Sequence, residues 1–278
     1  MIPERTLGKT GISVSIFGLG GEAAIQQKNK AEEAETIINR AIDLGVNYID
    51  TAPAYFSSED NIGRVMAYRR KDVFLATKTR DRTYNGTMQQ IEGSLKRLKT
   101  NYIDLYQLHD MQLDKDLKTV LGKNGAIKAL EELKEQKVIR FTGITGHKYP
   151  DLLLRAISDY PFDCLLMSFN AADTHYRPFK KSLLPEAVNL NMGIIAMKVA
   201  STGRLFRADG ISSMKQAMDY VLSYPISTAI VGINNVDEVE ENVSIAKQFK
   251  ALDHLELKNL ERLTANYAEE ANFFKHFW

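Results

Sequence analysis

Four side chains suited to acid–base chemistry stand at or near the ends of successive apolar runs. Asp50 closes "VNYID", and Tyr55 follows it five residues later. Lys78 closes "VFLATK", and His109 closes "YIDLYQLH". A free tyrosine has a pKa of about 10, too high for an efficient proton donor near neutral pH. A nearby lysine ammonium would lower that pKa by stabilising the phenolate, and a carboxylate would keep the buried lysine charged.

These four residue types together suit the protonation of a carbonyl oxygen, which His109 would orient by a hydrogen bond. Each also has a structural explanation, because Asp begins turns and a lysine at a strand end is usually solvated. Those explanations account poorly for titratable groups at equivalent positions on three neighbouring strands. The set contains no hydride donor, so any reduction needs a cofactor.

Eight short apolar runs alternate with longer segments of helical periodicity. They are "VSIFGLG" (14–20), "VNYID" (46–50), "VFLATK" (73–78), "YIDLYQLH" (102–109), "IRFTGIT" (139–145), "CLLMSFN" (164–170), "GIIAMK" (193–198) and "STAIVG" (227–232). Strict alternation of this kind predicts a parallel sheet closed into a (β/α)8 TIM barrel, with the active site at the carboxyl ends of its strands.

The intervening segments supply helices and punctuation. Helical spacing covers 31–45, 87–100 with Thr87 as N-cap, 126–137, 235–249 and an extra C-terminal helix at 253–271. The opening "RTLGKTGISVS" predicts an N-terminal β-hairpin that turns at "GKTG" and closes the barrel bottom. No long linker interrupts the chain, so residues 1–278 are expected to form a single domain.

Composition narrows the class of protein. The 278 residues are 44% hydrophobic and 26% charged with a formal net charge of +1, which does not favour nucleic acid or a membrane surface as partner. No run approaches the roughly 18 apolar residues of a membrane span, and the first residues lack an apolar signal stretch. Cys164 is the single cysteine, which favours a reducing, cytoplasmic location. No His-x-His pair or dense carboxylate cluster suggests a metal.

One glycine-rich stretch has two interpretations. "GLGGEA" places Gly18, Gly20 and Ala23 in the spacing of a dinucleotide fingerprint, but that motif must open a helix at once. The polar "AIQQKNK" that follows predicts a loop instead. We therefore expect Gly20 and Gly21 to let the backbone approach a ligand at the barrel mouth.

The motifs "NYIDTAPAY", "FLATKT" and "YQLHD", in this order, resemble those of the aldo-keto reductases. So do "RTLGKTGISVSIFGLGG", "SSEDNIGRVM" and "EEN" at 240–242, and the resemblance covers nearly the whole chain. It implies a barrel that reduces an aldehyde or ketone with NAD(P)H. The family's catalytic tetrad falls on Asp50, Tyr55, Lys78 and His109, with Tyr55 as general acid and Asp50 also beside the cofactor.

The nicotinamide contacts implied by the resemblance are less regular. Many relatives end the fifth barrel strand in Ser-Asn, where this chain has Thr145 and then Gly146. The sixth strand carries Ser168 and Asn170 in place of the usual glutamine. Lys198 follows the seventh strand, where an aromatic residue commonly stacks on the nicotinamide.

The adenosine end predicts a cofactor preference. NADPH-using relatives often hold the 2′-phosphate with residues at three positions after the eighth strand. These are a Lys at the strand end, a Ser or Thr next to it, and an Arg three residues before the Glu of a Glu-Asn pair. Here that pair is Glu241–Asn242, and the three positions hold Gly232, Ile233 and Glu238. A carboxylate repels the phosphate and suits a free ribose 2′-hydroxyl. NADH is thus expected to serve at least as well as NADPH.

A preference for NADPH, with other residues at the adenosine end of the cofactor, is the alternative. Glu238 could face solvent while Lys198, Arg204 and Arg207 contact phosphate from the loop after the seventh strand. The aromatic tail "ANFFKHFW" (271–278) is equally open, because it could shape the substrate pocket or only pack the last helix down. Neither the substrate nor the oligomeric state can be deduced from these residues.

Two rival functions remain. Lys78 could attack a carbonyl as the Schiff-base lysine of an aldolase, although that chemistry needs a neutral amine and Asp50 favours the charged one. Alternatively, the barrel could bind nucleotide without catalysis, as a redox sensor or an interaction module. A complete set of acid–base groups argues against that second function.

Overall fold

Eight parallel strands form a closed barrel in the computed structural model, which describes residues 1–276. The described residues contain ten strands, of which the first two form a separate sheet. They are β1 (Glu4–Thr6), β2 (Ser13–Ser15), β3 (Phe17–Ala23), β4 (Tyr48–Asp50), β5 (Phe74–Thr79), β6 (Ile103–Leu108), β7 (Ile139–Gly146), β8 (Cys164–Ser168), β9 (Gly193–Met197) and β10 (Thr228–Ile233). β3 to β10 pair in chain order, and β10 pairs with β3 to close the ring. The predicted (β/α)8 barrel is confirmed.

Helices connect the strands around the outside of the barrel. They are α1 (Ala31–Asp43), α2 (Ser58–Arg69), α3 (Tyr84–Arg97), α4 (Asp114–Val120), α5 (Ala126–Glu135), α6 (Pro150–Asp159), α7 (Leu183–Asn189), α8 (Met214–Leu222), α9 (Val236–Lys247), α10 (His254–Leu263), α11 (Ala268–Ala271) and α12 (Phe273–His276). Their apolar faces pack on the sheet in one large core. None of these helices, within residues 1–276, has the length and apolarity to cross a membrane.

The N-terminal hairpin closes one end of the barrel, as expected. β1 and β2 pair antiparallel, with Glu4 opposite Ser15. Leu7 and Val14 from this hairpin are buried in a second apolar cluster with side chains from inside the barrel, such as Tyr48 and Leu105. The predicted first strand (14–20) was therefore placed three residues too early, because residues 14–15 belong to the hairpin and the barrel strand is Phe17–Ala23.

Two helix predictions were wrong in detail. The helix predicted from Thr87 begins at Tyr84, because the Thr83 hydroxyl accepts a hydrogen bond from the amide of Gly86 and caps it. The single C-terminal helix predicted over 253–271 ends at Leu263. The Thr264 hydroxyl then donates to backbone carbonyls, and the chain turns into the short helices α11 and α12.

Those short helices return the tail to the rest of the barrel. Phe273 and Phe274 are buried, so this part of the aromatic tail packs against the protein. The Lys275 ammonium pairs with the buried carboxylate of Asp173 in the loop after β8. Trp278, the last aromatic residue of the tail, lies outside the described residues.

Candidate active site

The predicted tetrad converges at the carboxyl ends of three adjacent strands. Asp50 ends β4, Lys78 is the penultimate residue of β5, and His109 directly follows β6. Tyr55 lies in the turn between β4 and α2, and its amide donates to the Ala52 carbonyl. Because parallel strands in one barrel end at the same rim, residues 59 positions apart become neighbours.

Lys78 is the centre of the tetrad. Its side chain is 1% exposed and forms an ion pair with Asp50. Its Nζ also donates to the Thr51 carbonyl at 2.8 Å and to the Tyr55 hydroxyl at 3.4 Å. Burial raises the pKa of the Asp50 carboxyl, while the ammonium of Lys78 and the amide of Gln107 oppose that rise. The ion pair is therefore held in a site with little solvent.

Tyr55 does not have the lowered pKa that its neighbours suggested. Burial raises the pKa of this phenol well above its ordinary value, and the charge of Asp50 adds to the effect. Burial is the largest cause, because a phenolate loses the solvation that water would give it. Tyr55 is consequently a protonated phenol at neutral pH, and Lys78 is placed to stabilise the phenolate once the proton has left.

His109 lies beside the phenol as a neutral base. Its ring meets that of Tyr55 edge-on, with 5.8 Å between the centroids. Burial, followed by the charges of Lys78 and Arg80, lowers the pKa of His109 well below its usual value. Its backbone is fixed by the Thr79 carbonyl and by Arg82, which donates to the His109 carbonyl at 2.8 Å. A neutral imidazole can orient a carbonyl by a hydrogen bond but is a poor proton source.

A cleft of ≈ 570 Å³ opens from the tetrad along the barrel mouth. Asp50 and Tyr55 line one part of it, and Gly232 and Glu238 line another. Its volume lies within the range of ordinary small-molecule and cofactor sites. Gly232 is exposed, and a Cβ there would meet no atom closer than 3.5 Å, so its missing side chain leaves the cleft open. The residues present thus fit a bound dinucleotide.

Gly20 and Gly21 both line this cleft. A Cβ on Gly21 would lie 2.5 Å from the Ser58 hydroxyl and 2.8 Å from the Asp50 carbonyl. Glycine at this position therefore lets β3 approach the segment that carries Asp50 and Tyr55. Only a three-residue 3-10 helix (Ala24–Gln26) follows the glycines directly, and α1 begins at Ala31. Since no α-helix opens at Ala24, the structure lacks the geometry of a dinucleotide fingerprint there.

Three of the predicted nicotinamide contacts are occupied within the protein. The Thr145 hydroxyl accepts from the Asp110 amide at 2.7 Å, and the Ser168 hydroxyl donates to the His147 carbonyl at 3.0 Å. The Asn170 amide donates to the Lys198 carbonyl at 3.1 Å, and its oxygen accepts from the Ala172 amide. None of the three is among the described residues that line the cleft. They hold the loops after β6, β7, β8 and β9 in place.

Lys198 lines the cleft and forms an ion pair with Glu22, which also lines it. Its Nζ lies 3.4 Å from the Glu22 carboxylate, which links the end of β3 to the loop after β9. Burial lowers the pKa of the Lys198 ammonium, and Glu22 opposes that change. The pair stands beside the tetrad, where the sequence suggested an unusual replacement for an aromatic residue.

Glu238 lines the cleft at the start of α9, but Glu241 and Asn242 do not. The Glu238 carboxylate accepts from the Asn234 backbone amide at 2.8 Å and from the Asn234 side chain. These bonds fix its orientation. Glu241 is exposed and Asn242 is buried, so an adenine contact by that pair requires a ligand that extends beyond the cleft.

Arg204 and Arg207 are directed toward the C-terminal segment instead of the cleft. The Arg204 guanidinium lies over the ring of Phe273, 4.2 Å from its centroid. Arg207 forms a 2.5 Å ion pair with Glu270. Neither is among the described residues that line the cleft, so the structure does not bring them to a phosphate there.

Gln107 is a residue of the site that the sequence did not single out. It lies on β6, two positions before His109, and its amide donates to the free oxygen of Asp50 at 2.9 Å. Two-residue alternation along the strand could have placed it on the same face as His109. Among the described residues, no group of three or more His, Cys, Asp or Glu side chains is arranged to hold a metal ion.

Comparison with known proteins agrees with the fold. The family model described as "Aldo/keto reductase family" matches residues 16–216. An uncharacterized oxidoreductase, YqkF of Bacillus subtilis, is 27% identical over 94% of this chain and 96% of its own length. Two solved aldo-keto reductases each cover 95% of this chain and 96% of theirs: AKR11C1 of Bacillus halodurans at 24% identity and a TM-score of 0.81, and one of Klebsiella pneumoniae, in complex with NADPH, at 21% and 0.78.

This chain belongs to the aldo-keto reductase family. It is an NAD(P)H-dependent oxidoreductase that reduces a small carbonyl substrate.

Proposed function

We propose that Tyr55 donates the proton in the reduction of an aldehyde or ketone, and that Asp50, Lys78 and His109 prepare it for that step. The contact that carries this proposal is the 3.4 Å approach of the Lys78 ammonium to the Tyr55 hydroxyl. The same ammonium is ion-paired with Asp50, and Tyr55 lines the cleft. The Tyr55 hydroxyl therefore lies between the buried ion pair and the cleft. A carbonyl oxygen hydrogen-bonded to Tyr55 is then within reach of its proton.

The nicotinamide supplies the hydride when it is bound. As the carbonyl oxygen gains negative charge, the Tyr55 hydroxyl transfers its proton to it, and the resulting phenolate is stabilised by Lys78. Neutral His109 donates a hydrogen bond that keeps the carbonyl directed at the phenol. Asp50 balances the Lys78 charge, so the ammonium is retained in a buried position.

The contacts of Lys78 disfavour the aldolase alternative. Its nitrogen donates to three oxygens, those of Asp50, Thr51 and Tyr55, and its side chain is buried. A Schiff base would require this nitrogen to lose its proton and leave the Asp50 carboxylate buried without an ion-pair partner. A non-catalytic nucleotide-binding barrel would have no need for a phenol held against that ammonium.

The function is tested by following nicotinamide absorbance with a panel of aldehydes, ketones and quinones. Wild-type protein should oxidise the reduced cofactor with at least one class of carbonyl, and Tyr55→Phe should not do so at a comparable rate. Borohydride trapping with the same substrates should leave Lys78 unmodified. A borohydride-stable adduct on Lys78 would favour the aldolase instead.

We also propose that NADH is used at least as well as NADPH. Glu238 lines the cleft with its carboxylate held by Asn234, so its negative charge is fixed there. Among the described residues lining the cleft, Lys198 is the only cation, and it pairs with Glu22 near the tetrad. A 2′-phosphate near Glu238 would therefore meet repulsion without a compensating base. The Klebsiella relative binds NADPH, but its 21% identity carries the fold alone.

The cofactor proposal is tested by measuring kcat/KM for NADH and NADPH with wild type and Glu238→Gln. Removing the carboxylate charge should improve NADPH more than NADH. Asp237→Gln, on the exposed side of the same helix start, is the matched control and should change neither. A wild-type preference for NADPH above about 10-fold that Glu238→Gln leaves unchanged contradicts the proposal.

Finally, we propose that residues 1–278 form one domain and that the protein works in the cytoplasm. Closure of the barrel by strands from both ends of the chain supports the first statement. The single cysteine, Cys164, is buried within the barrel core, which suits a compartment where structural disulfides are not formed. Cell fractionation of the tagged protein checks the location.

A further inference from the structure

We propose that Gln107 is a positioning residue that fixes the Asp50 carboxylate and, through it, the Lys78 ammonium that faces Tyr55. The proposal rests on the proposed role of the tetrad. Gln107 is fully buried on β6, and its Nε2 donates to Asp50 Oδ2 at 2.9 Å. Since Lys78 takes the other oxygen, Oδ1, the two donors together define the plane of the carboxylate.

The orientation of the Gln107 amide follows from its partner. A carboxylate oxygen only accepts hydrogen bonds, so the NH2 group must face Asp50. The amide oxygen Oε1 then points away, and it has no hydrogen-bond partner within residues 1–276. A buried acceptor without a partner is unfavourable, and an apolar side chain of the same size would avoid it. The bond to Asp50 is the interaction on this side chain that offsets that cost.

The neighbouring strand leaves room for this amide. Gln107 pairs across β6 and β7 with Gly143, and a Cβ on Gly143 would lie 2.9 Å from Gln107 Cγ and 3.1 Å from Leu105 Cδ1. On its other side Gln107 pairs with Lys78 of β5. A glycine at position 143 therefore allows the side chain to extend inside the barrel, and the strand register aligns it with the ion pair.

Loss of the amide should alter the pH dependence of catalysis. Burial already raises the pKa of Asp50, and the bond from Gln107 opposes that rise, so its removal raises the pKa further. As pH falls, Asp50 then takes up its proton at a higher pH, and Lys78 loses its balancing charge sooner. The titratable groups that face Asp50 are Lys78 on β5, Glu22 on β3, and Tyr48 and Tyr55 on its own strand and loop.

The decisive variant is Gln107→Met, which keeps the length of the side chain and removes both donors. We expect kcat to fall about 10-fold, the loss of one hydrogen bond to a charged group, and the acidic limb of the kcat–pH profile to move to higher pH. KM and cofactor affinity should change little, because Gln107 is not among the described residues lining the cleft. Leu105→Met puts the same side chain two residues earlier on β6 and should keep the wild-type profile.

A second variant keeps glutamine at position 107 but displaces its side chain. In Gly143→Ala the new methyl group must displace Gln107 Cγ, so the acidic limb should move in the same direction. Both folds are checked by circular dichroism and thermal unfolding before the kinetics. If either folded variant keeps the wild-type kcat and acidic limb, the proposal is wrong.

The tetrad and the inference can fail separately. Tyr55→Phe and Lys78→Met are measured in the same buffers. If both lose activity while Gln107→Met does not, Gln107 has no positioning role and the tetrad assignment stands. If Tyr55→Phe is fully active, the tetrad assignment fails, and with it the reason for positioning Asp50.

Discussion

The proposed chemistry depends on the Tyr55 hydroxyl, because this group supplies the proton. Tyr55→Phe should lower kcat by about 10²–10⁴-fold, the usual contribution of general acid catalysis, and leave cofactor affinity intact. Single-turnover kinetics on the nicotinamide signal measure the chemical step directly. Tyr68→Phe is the matched control, because its hydroxyl hydrogen-bonds with Glu35 and Asn39 on the surface and Tyr68 does not line the cleft. Near-wild-type turnover by Tyr55→Phe, with chemistry rate-limiting, contradicts the assignment.

The charge of Lys78 should affect the basic limb of the kcat–pH profile. Reduction requires Tyr55 to be protonated, so activity is lost as pH rises through the pKa of Tyr55, which burial raises. Lys78→Met removes a charge that stabilises the phenolate, so that pKa rises further and the basic limb moves to higher pH while kcat falls. The kcat–pH profile of Lys78→Met is compared with that of Lys71→Met on the surface. A basic limb that moves to lower pH contradicts this account.

Residue types at strand ends made much of the candidate site predictable. Asp50, Lys78 and His109 each close an apolar run, and a parallel barrel brings such ends together. Gln107 was missed because its importance depends on the register of β6 against its neighbours, which sets it beside Lys78 of β5 and Gly143 of β7. The direction of the Tyr55 pKa shift was also beyond a sequence argument, since it depends on how deeply the fold buries the phenol and how near it brings Asp50.

At the scale of elements, periodicity predicted which segments are strands but not all of their limits. The first run merged a hairpin strand with a barrel strand, because both are apolar and only the change of pairing partner at Ile16 separates them. The C-terminal stretch kept helical spacing beyond Leu263, yet the chain bends there to bring Asn272 and Lys275 onto the loop after β8. Such bends depend on tertiary hydrogen bonds that no local pattern encodes.

The anchor of that tail predicts a large loss of stability in one variant. Lys275 is fully buried and donates to Asp173 and to the carbonyls of Tyr176 and Arg177. Lys275→Met leaves the Asp173 charge buried without its partner, so the free energy of unfolding should fall by about 3–5 kcal/mol. Lys258→Met, which removes an exposed lysine from its pair with Glu261, should cost no more than about 1 kcal/mol.

Chemical denaturation measures both losses, and the double variant Asp173→Asn with Lys275→Met tests the cause. Replacing both members of a buried pair should recover part of the stability, because no uncompensated charge remains. A double variant less stable than Lys275→Met alone, by the full cost of Asp173→Asn, means that the two side chains act independently.

At the scale of the whole molecule, the hairpin that closes the barrel and the candidate active site lie at opposite ends of the barrel. The hairpin brings Leu7 and Val14 into the apolar interior at the amino-terminal end of the strands. The tetrad and the cleft occupy the carboxyl-terminal end. Burying the charged tetrad residues Asp50 and Lys78 carries a desolvation cost, whereas burying apolar side chains at the other end is favourable.

Cofactor binding should therefore stabilise the whole barrel, whether or not the chemistry is intact. A ligand that binds only the folded state adds about 2.7 kcal/mol at a concentration 100 times its Kd. NADH should raise the unfolding temperature of wild type and Tyr55→Phe by equal amounts, because Tyr55 is proposed to act on the substrate's oxygen. At equal concentrations, NADPH should raise it no more than NADH does, and Glu238→Gln should close any gap between them. Differential scanning calorimetry measures all three shifts without turnover. A Tyr55→Phe protein that NADH fails to stabilise would show that the phenol is needed to bind the cofactor, which contradicts the role of proton donor alone.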